Sequence, residues 1–337
     1  MSPTKAASAI AVPASPREHA HRITEAVVNA WHSNYGGSRV DIPISVVAAL
    51  SLLPERHPGG PELAPLLLRL DGDGFIALLR RLELEFGIMR PDLRPRTKPL
   101  WSWLEDDALD PQLVRAVHAT GRAALAKGQL ALTGVAWRAN ECDLLGTVLQ
   151  AIRSRKDREA RGQFLTPLPV TELIGMISLA ELAADRPNDE PLRVLDPCVG
   201  TGAMLLGAAN ALREHGHDPA AVEWWANDID WVAAACCAVN MHLWDLGLRV
   251  VIGCGDGLFD TWMHDALTER QAAIDELNTL WKRAKMFAGM RWVLGLDPPE
   301  DPFLAHLRRL QPPPPKAAPP HSSTFDAEAA YRQAPLF

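Results

Sequence analysis

The fold of this chain is decided by the stretch Arg193-Val194-Leu195-Asp196-Pro197-Cys198-Val199-Gly200-Thr201-Gly202-Ala203-Met204-Leu205. It starts as a short apolar strand that ends on Asp196, passes through a turn with two glycines, and continues as a helix. Glycine lets the backbone approach a ligand closely and adopt positive φ angles. The first turn of a helix offers unpaired N–H groups to a polar ligand. The stretch therefore predicts a strand–turn–helix unit that binds a nucleotide-like cofactor.

The glycine turn does not match the two common phosphate-binding motifs. A P-loop requires Gly-Lys-Ser/Thr, and Gly202 is followed by Ala203; a dinucleotide fingerprint requires a third glycine where Leu205 stands. A carboxylate at Asp196 would instead lie beside the turn and could hold a cationic group. S-adenosylmethionine carries an ammonium and a sulfonium but no phosphate. The alternative is an ordinary strand-to-helix turn that contains two glycines.

Three further apolar runs end on polar residues. The sequence predicts strands over Val222–Asp230, Leu248–Ile252 and Trp292–Leu296. The acids at or after their ends are Asp228, Asp256 and Asp297. The carboxyl ends of parallel strands meet at one edge of an open sheet, where such folds bind ligands. We therefore expect Asp228 to bind ribose hydroxyls and Asp256 to accept from an adenine amino group.

Three motifs in this order resemble those of the S-adenosylmethionine-dependent adenine-specific DNA methyltransferases. They are Gly162-Gln163-Phe164-Leu165-Thr166-Pro167, Asp196-Pro197-Cys198-Val199-Gly200-Thr201-Gly202 and Asp297-Pro298-Pro299. The segment Asp143-Leu144-Leu145-Gly146 is also similar to that group, in particular to the modification subunits of type I restriction–modification systems. The resemblance covers residues 139 to 300.

The resemblance implies a role for each matching residue. It implies that Phe164 and Thr166 line the methionine side of the cofactor. It also implies that Asp196 holds the methionine part, which the backbone of Gly200 and Gly202 approaches closely. In the same way, Asp228 would bind the ribose and Asp256 the adenine ring. It implies that Asp297, Pro298 and Pro299 are catalytic, since their carboxylate and carbonyl oxygens accept both protons of the exocyclic amine of a flipped-out adenine. Accepting these protons frees the nitrogen lone pair for attack on a methyl group, and flipping is needed because the amine is unreachable inside a duplex.

The sequence departs from this family in two places. The family has an aromatic residue after Asp-Pro-Pro, where this chain has Glu300; Phe303 is a weaker candidate for that stacking role. The family adds three strands after this motif, whereas 40 residues follow Asp297 here, including Pro312-Pro313-Pro314-Pro315. The sequence therefore predicts a truncated sheet in which strand 292–296 is an exposed apolar edge. Three explanations remain open: a partner covers this edge, the N-terminal domain covers it, or the chain is a decayed gene product.

Composition and charge limit the partners. The net charge of −7 argues against strong autonomous DNA binding. A local basic cluster could still contact phosphates, or it could be a solvated helix face. Its members are Arg153, Arg155, Lys156, Arg158 and Arg161. No apolar run reaches the length of a membrane span and no signal peptide is recognisable, so we expect a cytoplasmic protein with no membrane contact. The five cysteines are expected to be buried free thiols, and no spacing suggests a metal site.

The N-terminal third has a helical pattern. It predicts a helix over Arg22–Trp31, one over Gly74–Phe86 that Asp73 caps, and one that opens at Pro111. Overall the sequence predicts an α/β fold: a partial Rossmann-like methyltransferase sheet of about four strands, preceded by a helical N-terminal domain. The expected boundaries are a disordered N-terminus over 1–16, a helical domain over 17–135, an S-adenosylmethionine-binding methyltransferase-like domain over 136–310, and a Pro-rich disordered tail over 311–337.

Three functions follow from these observations. The first is an adenine-specific DNA N6-methyltransferase that uses S-adenosylmethionine, as a restriction–modification or orphan modification protein, with DNA and a specificity subunit as partners. Glu300 and the short C-terminal part leave open that its activity is impaired. The second is a catalytically silent cofactor-binding or interaction protein derived from that family. The third is a protein amide methyltransferase, against which the Gly-Gln-Phe-Leu-Thr-Pro segment counts.

Overall fold

The computed structural model describes residues 12–36, 39–153, 166, 168–184, 192–259 and 261–294. The first half of this part is helical. Its helices are α1 (Pro16–Asn34), α2 (Asp41–Ser51), α3 (Ala64–Leu67), α4 (Gly72–Met89), α5 (Arg94–Trp101), α6 (Pro111–Ala126), α7 (Gln129–Thr133), α8 (Ala136–Ala139) and α9 (Leu144–Ile152).

Helix starts follow the capping chemistry of the sequence, with two corrections. The side chain of Ser15 accepts from the Glu18 N–H and Pro16 opens α1, so the predicted disordered N-terminus of 1–16 extends too far at its C-terminal end. Helix α4 is capped by Asp71, which accepts from the Gly74 N–H at 2.9 Å, and not by Asp73. Asp73 is an acid of the first turn, where a negative charge is also favoured. The helix predicted to open at Pro111 is confirmed.

The second half contains a parallel three-stranded sheet. Its strands β1 (Arg193–Asp196), β2 (Glu223–Asn227) and β3 (Val250–Gly253) lie in the order β1-β2-β3. Helix α10 (Leu168–Ala184) precedes β1, α11 (Ala203–Glu214) joins β1 to β2, and α12 (Trp231–Leu243) joins β2 to β3. Because all three strands run the same way, Asp196, Asn227 and Gly253 lie together at one edge. The α/β class and three of the predicted strands are confirmed.

The predicted fourth strand, Trp292–Leu296, is wrong at its start. After β3 the chain forms α13 (Thr261–Val293), a helix of 33 residues that includes Trp292 and Val293. A short apolar run does not distinguish a strand from a helix by periodicity, and here the helix continues through it. Residues 295 and 296 lie outside the described part.

The helices and the sheet share one buried cluster of apolar side chains, which reaches from Ala20 of α1 to Ile252 of β3. Three cysteines, Cys142, Cys236 and Cys237, are buried in it as expected, whereas Cys198 is exposed and Cys254 is half-buried. None of the helices in the described part is long and apolar enough to cross a membrane.

Candidate functional site

The turn after β1 has a backbone that requires glycine. Gly200 and Gly202 have φ angles of 57° and 98°, a region that side chains rarely adopt. A Cβ atom at Gly202 would also lie 3.0 Å from the ring of Trp244. The Gly202 N–H donates to the Val199 carbonyl at 2.9 Å, and α11 begins at the next residue. The turn therefore presents bare backbone and a helix N-terminus at the carboxyl edge of the sheet.

Three carboxylates follow the ends of the three strands, and each forms the same local turn. Asp196 accepts from the Cys198 N–H at 3.0 Å, Asp228 from the Asp230 N–H at 2.8 Å, and Asp256 from the Leu258 N–H at 3.0 Å. An Asp that bonds the backbone two residues ahead fixes its own side-chain direction. The turn at the end of each strand therefore fixes the side-chain direction of its Asp residue.

The charges of the three carboxylates all act on the thiol of Cys198. Burial raises the pKa of this thiol, and the charges of Asp228, Asp196 and Asp256 raise it further. Burial also raises the pKa of Asp196, and the charge of Asp228 adds to this shift. The three acids that the sequence predicts to bind a cofactor thus lie around Cys198 at the carboxyl edge of the sheet, and we call this surface the acidic cleft.

Asp228 is tied to the glycine turn as well. Its carboxylate accepts from the Gly200 N–H at 2.7 Å through one oxygen and from the Asp230 N–H through the other. Burial raises the pKa of Asp228, while these two backbone donors lower it. Each oxygen keeps a second lone pair for a ligand hydroxyl, since an ionised carboxylate has about four acceptor sites.

Asn227, which sequence reasoning missed, joins two of these turns. Its side-chain amide is fully buried and donates to the Pro197 carbonyl at 3.2 Å and to the Gly255 carbonyl at 2.9 Å. The turns after β1 and β3 are thereby held at a fixed separation across β2. A polar residue at the last position of a buried strand is the signal that could have identified it.

Asp143 opens the family-like segment Asp143-Leu144-Leu145-Gly146, and its structural role is not evident from the sequence. It caps α9 by accepting from the Gly146 N–H at 2.8 Å, and it also accepts from the Thr201 hydroxyl and from the Asn240 side-chain amide at 2.9 Å. Asn240 donates at 2.8 Å to the Thr201 carbonyl too. One carboxylate therefore links α9, α12 and the glycine turn.

Thr166 lies beside this network. It lines a cavity of about 380 Å³ together with Asp143, Thr147 and Ala203, the first residue of α11. The cavity places the predicted methionine-side residue next to the glycine turn. Phe164, the other residue of that prediction, lies outside the described part of the chain.

The predicted DNA-binding cluster is wrong at Arg153. This side chain is buried and forms an ion pair with Asp230, the cap of α12. A buried, paired guanidinium cannot contact phosphate, and its partner could not be recognised from a distant part of the sequence. The other members, Arg155, Lys156, Arg158 and Arg161, lie outside the described residues, as do Asp297, Pro298 and Pro299. In the described part, no group of His, Cys, Asp and Glu side chains could hold a metal ion.

The second half of the chain is similar to a known protein family. Residues 142–303 match the N-6 DNA Methylase family. A solved structure of the methyltransferase subunit of a type I restriction–modification system from Streptococcus thermophilus is similar at 14% identity and a TM-score of 0.40. That alignment covers 73% of this chain, and the chain spans 60% of the length of that subunit. A search of curated proteins gives no match.

The matched residues include the glycine turn, the three carboxylates, and the segments of Thr166 and Asp297. Residues 142–303 of this chain are therefore similar to the N-6 DNA Methylase family over the whole carboxyl edge of the sheet.

Proposed function

We propose that the acidic cleft binds S-adenosylmethionine and that the chain transfers its methyl group to the N6 amine of adenine in DNA. The observation that carries this proposal is the convergence of Asp196, Asp228 and Asp256 around a glycine turn with positive φ angles, inside a segment similar to the N-6 DNA Methylase family. When bound, S-adenosylmethionine supplies an activated methyl group.

The charge of the cleft fits this cofactor better than a phosphorylated one. Three carboxylates lie at the strand ends, and the glycine turn lacks the lysine of a P-loop. Phosphate groups would be repelled there, whereas an ammonium and a sulfonium are attracted. A cavity of about 140 Å³, lined by Cys254, Asp256, Phe259 and Trp262 among others, adjoins the cleft and offers space for the adenine ring.

In this proposal each part of the cofactor has its own residues. Thr166, Asp196, Gly200 and Gly202 contact the methionine part, with Phe164 on the same side. Asp228 accepts from the ribose hydroxyls, and Asp256 accepts from the adenine amino group. Asp228 is well suited to this role because two backbone donors fix its carboxylate before any ligand arrives.

The catalytic part of the proposal rests on Asp297, Pro298 and Pro299. The Asp297 carboxylate and the Pro298 carbonyl accept hydrogen bonds from the two N–H groups of the target amine, which turns its lone pair toward the methyl group. As the N–C bond forms and the S–C bond of the donor breaks, the nitrogen loses one proton to solvent and keeps the other. Glu300 offers no aromatic platform for the flipped base, a contact that is worth about 1–3 kcal/mol per base. We therefore expect slow transfer by this chain alone, and faster transfer with a partner subunit that supplies base or target contacts.

A silent cofactor-binding protein is the second candidate, and Glu300 is the residue that favours it. The two functions share the cofactor cleft and differ in the fate of the methyl group. Incubation with tritiated S-adenosylmethionine and mixed-sequence DNA, with and without neighbouring gene products, separates them. Label in DNA, released as N6-methyladenine, supports the enzyme, whereas binding without any label in DNA supports the silent protein.

The cofactor proposal predicts that Asp228→Ala and Asp196→Ala weaken S-adenosylmethionine binding by about ten- to a hundredfold. Each change removes a hydrogen bond to a charged group, worth about 1.5–3 kcal/mol. Isothermal titration calorimetry on the full chain measures the affinity.

The matched control is Asp218→Ala. Asp218 makes the same kind of turn, accepting from the Ala220 N–H at 2.9 Å, but it lies before β2 at the opposite edge of the sheet. It should leave the affinity unchanged. Absence of binding heat for the wild type would refute the proposed function, and equal losses for all three variants would refute the assignment of the cleft.

A further inference from the structure

Helix α13 extends beyond the body of the protein. Near its start, Trp262 and Ala266 are buried against Val251 of β3, and Glu276 forms an ion pair with Arg94 of α5 at 2.9 Å. From residue 278 to residue 290, every residue is exposed. This part of the helix stands free of the rest of the described chain on all sides.

The free part carries charge of one sign. Residues 278–291, which we call the basic arm, comprise this exposed part and the half-buried Arg291. They contain Lys282, Arg283, Lys285 and Arg291 and no acid, in a chain whose net charge is −7. Within the described ranges, none of these four side chains pairs with a carboxylate. These cations give the basic arm a positive local potential, although the net charge of the whole chain is negative.

The geometry of the basic arm matches a groove of duplex DNA. An α-helix is about 10–12 Å across with its side chains, and the major groove is about 12 Å wide. At about 100° per residue, the four cations point to different sides of the helix axis, so side chains from one helix could reach phosphates on both walls of a groove. Because residues 278–290 are all exposed, no other part of the described chain blocks the approach of this helix to a groove.

We propose that the basic arm is a DNA-contacting element of this chain, lying in the major groove with its cations on the phosphates of both strands. The proposal rests on the proposed function, because it takes DNA as the substrate. It places the DNA contact on a different segment from the cluster around Arg153. In sequence the arm comes shortly before Asp297-Pro298-Pro299, the proposed catalytic segment.

The basic arm also exposes Trp281 and Phe287, and Lys285 lies over the ring of Trp281 at 5.4 Å. Aromatic side chains among cations stack on bases or pack on another protein. The uniform positive charge favours the nucleic acid, since a protein interface is depleted in lysine. The experiment must therefore distinguish DNA binding by the basic arm from packing of the arm against another protein.

The test is the salt dependence of DNA binding. The full chain and the triple variant Lys282→Gln/Arg283→Gln/Lys285→Gln are titrated into a fluorescein-labelled duplex of mixed sequence, and anisotropy is measured between 50 and 200 mM salt. Each lost phosphate contact makes the slope of log K against log salt shallower by about 0.9. We expect the slope of the variant to be shallower by about two to three units and its affinity for S-adenosylmethionine to be unchanged.

The matched control is the triple variant Arg22→Gln/Arg115→Gln/Lys127→Gln, which removes the same charge from exposed positions on the helical half. It should keep the wild-type slope. Equal slopes for wild type and arm variant, with methyl transfer intact, would overturn the inference and leave the proposed function standing. The inference would also be overturned if the arm variant kept the wild-type salt slope while Trp281→Ala/Phe287→Ala lost binding to another protein. That result would assign the basic arm to a protein interface. A wild type that neither binds nor methylates DNA refutes both proposals together.

Discussion

Among single residues, Asp143 has the widest effect on the site without facing the acidic cleft. Its carboxylate holds the first turn of α9, the hydroxyl of Thr201 and the amide of Asn240 at once. Thr201 lies between the two glycines and is fully buried, so its hydrogen bond to Asp143 fixes the conformation of the turn. In the proposed function, Asp143 is therefore a positioning residue that acts on the cofactor through the glycine turn.

Asp143→Ala should weaken S-adenosylmethionine binding by about tenfold or more, measured by calorimetry well below the unfolding midpoint. The reason is that Thr201 and Asn240 lose their common acceptor and the turn loses its fixed shape. Asp143→Asn, which retains an acceptor oxygen, should recover part of the affinity.

The control for this change is Asp110→Ala, which removes the cap of α6 far from the cleft. Asp110→Ala should lose about 0.5–2 kcal/mol of unfolding free energy, the cost of a helix cap, and Asp143→Ala should lose more, because Thr201 and Asn240 are buried donors that lose an acceptor. Only the change at Asp143 should reduce the affinity; wild-type affinity in the Asp143 variant would contradict the positioning role.

At the scale of elements, the contact between α10 and α11 sets the position of Thr166. The two helices approach so closely that a Cβ atom at Gly175 would lie 2.7 Å from the Gly207 carbonyl oxygen, and one at Gly207 would clash with the backbone of Thr171. Two glycines facing each other let the backbones touch. This places the start of α10 beside the start of α11 and the glycine turn.

Gly207→Ala should lower the unfolding free energy by about 1–3 kcal/mol, because the new methyl group meets backbone that cannot move aside. Denaturant titration followed by circular dichroism measures it. Gly289→Ala is the matched control, since no atom lies within 4 Å of its Cβ position on α13. That variant should be neutral or gain up to about 1 kcal/mol from helix propensity. Equal effects of the two changes would contradict the close contact.

Local signals in the sequence predicted much of the fold, and distant pairings account for what they missed. The strands β1 to β3 follow from apolar runs that end on acids, and the helix at Pro111 from its capping residues. Arg153 looked like a surface cation because its partner Asp230 is remote in sequence. Trp292 looked like the start of a strand because its neighbours are apolar, although the helix before it had not ended.

At the scale of the whole molecule, the shared core couples the helical half to the sheet, and buried histidines make it sensitive to pH. His19 is fully buried; one ring nitrogen lies 2.7 Å from the Lys127 carbonyl and the other 3.2 Å from a guanidinium nitrogen of Arg138. The second nitrogen can accept only from a neutral ring. Burial lowers the pKa of His19, and the charges of Arg138 and Arg22 lower it further.

Because the folded protein binds this proton less readily than the unfolded chain, stability should fall as the pH drops below about 6.5, the ordinary pKa of histidine. The unfolding free energy of wild type and His19→Gln, measured by denaturant titration from pH 7.5 to 5.5, should decrease less in the variant, which cannot titrate there. The difference between the two pH profiles reports on His19, because carboxylates such as Asp228 titrate in both proteins. The raised pKa of Asp228 has the opposite effect, since it makes the folded protein more stable as the pH falls. His217→Gln, at an exposed position, is the control; identical pH profiles for wild type and His19→Gln would contradict the prediction.

The exposed thiol of Cys198 is a potential target for alkylation by a bound methyl donor. A sulfonium methyl donor is an electrophile, and a thiolate close to it would compete with any intended acceptor. The thiolate is the nucleophilic form of cysteine, and the acids around Cys198 disfavour it by raising the pKa of the thiol. In the proposed function, the same carboxylates that attract the cationic donor favour the protonated thiol of Cys198, and we expect this to slow alkylation of Cys198 by the donor.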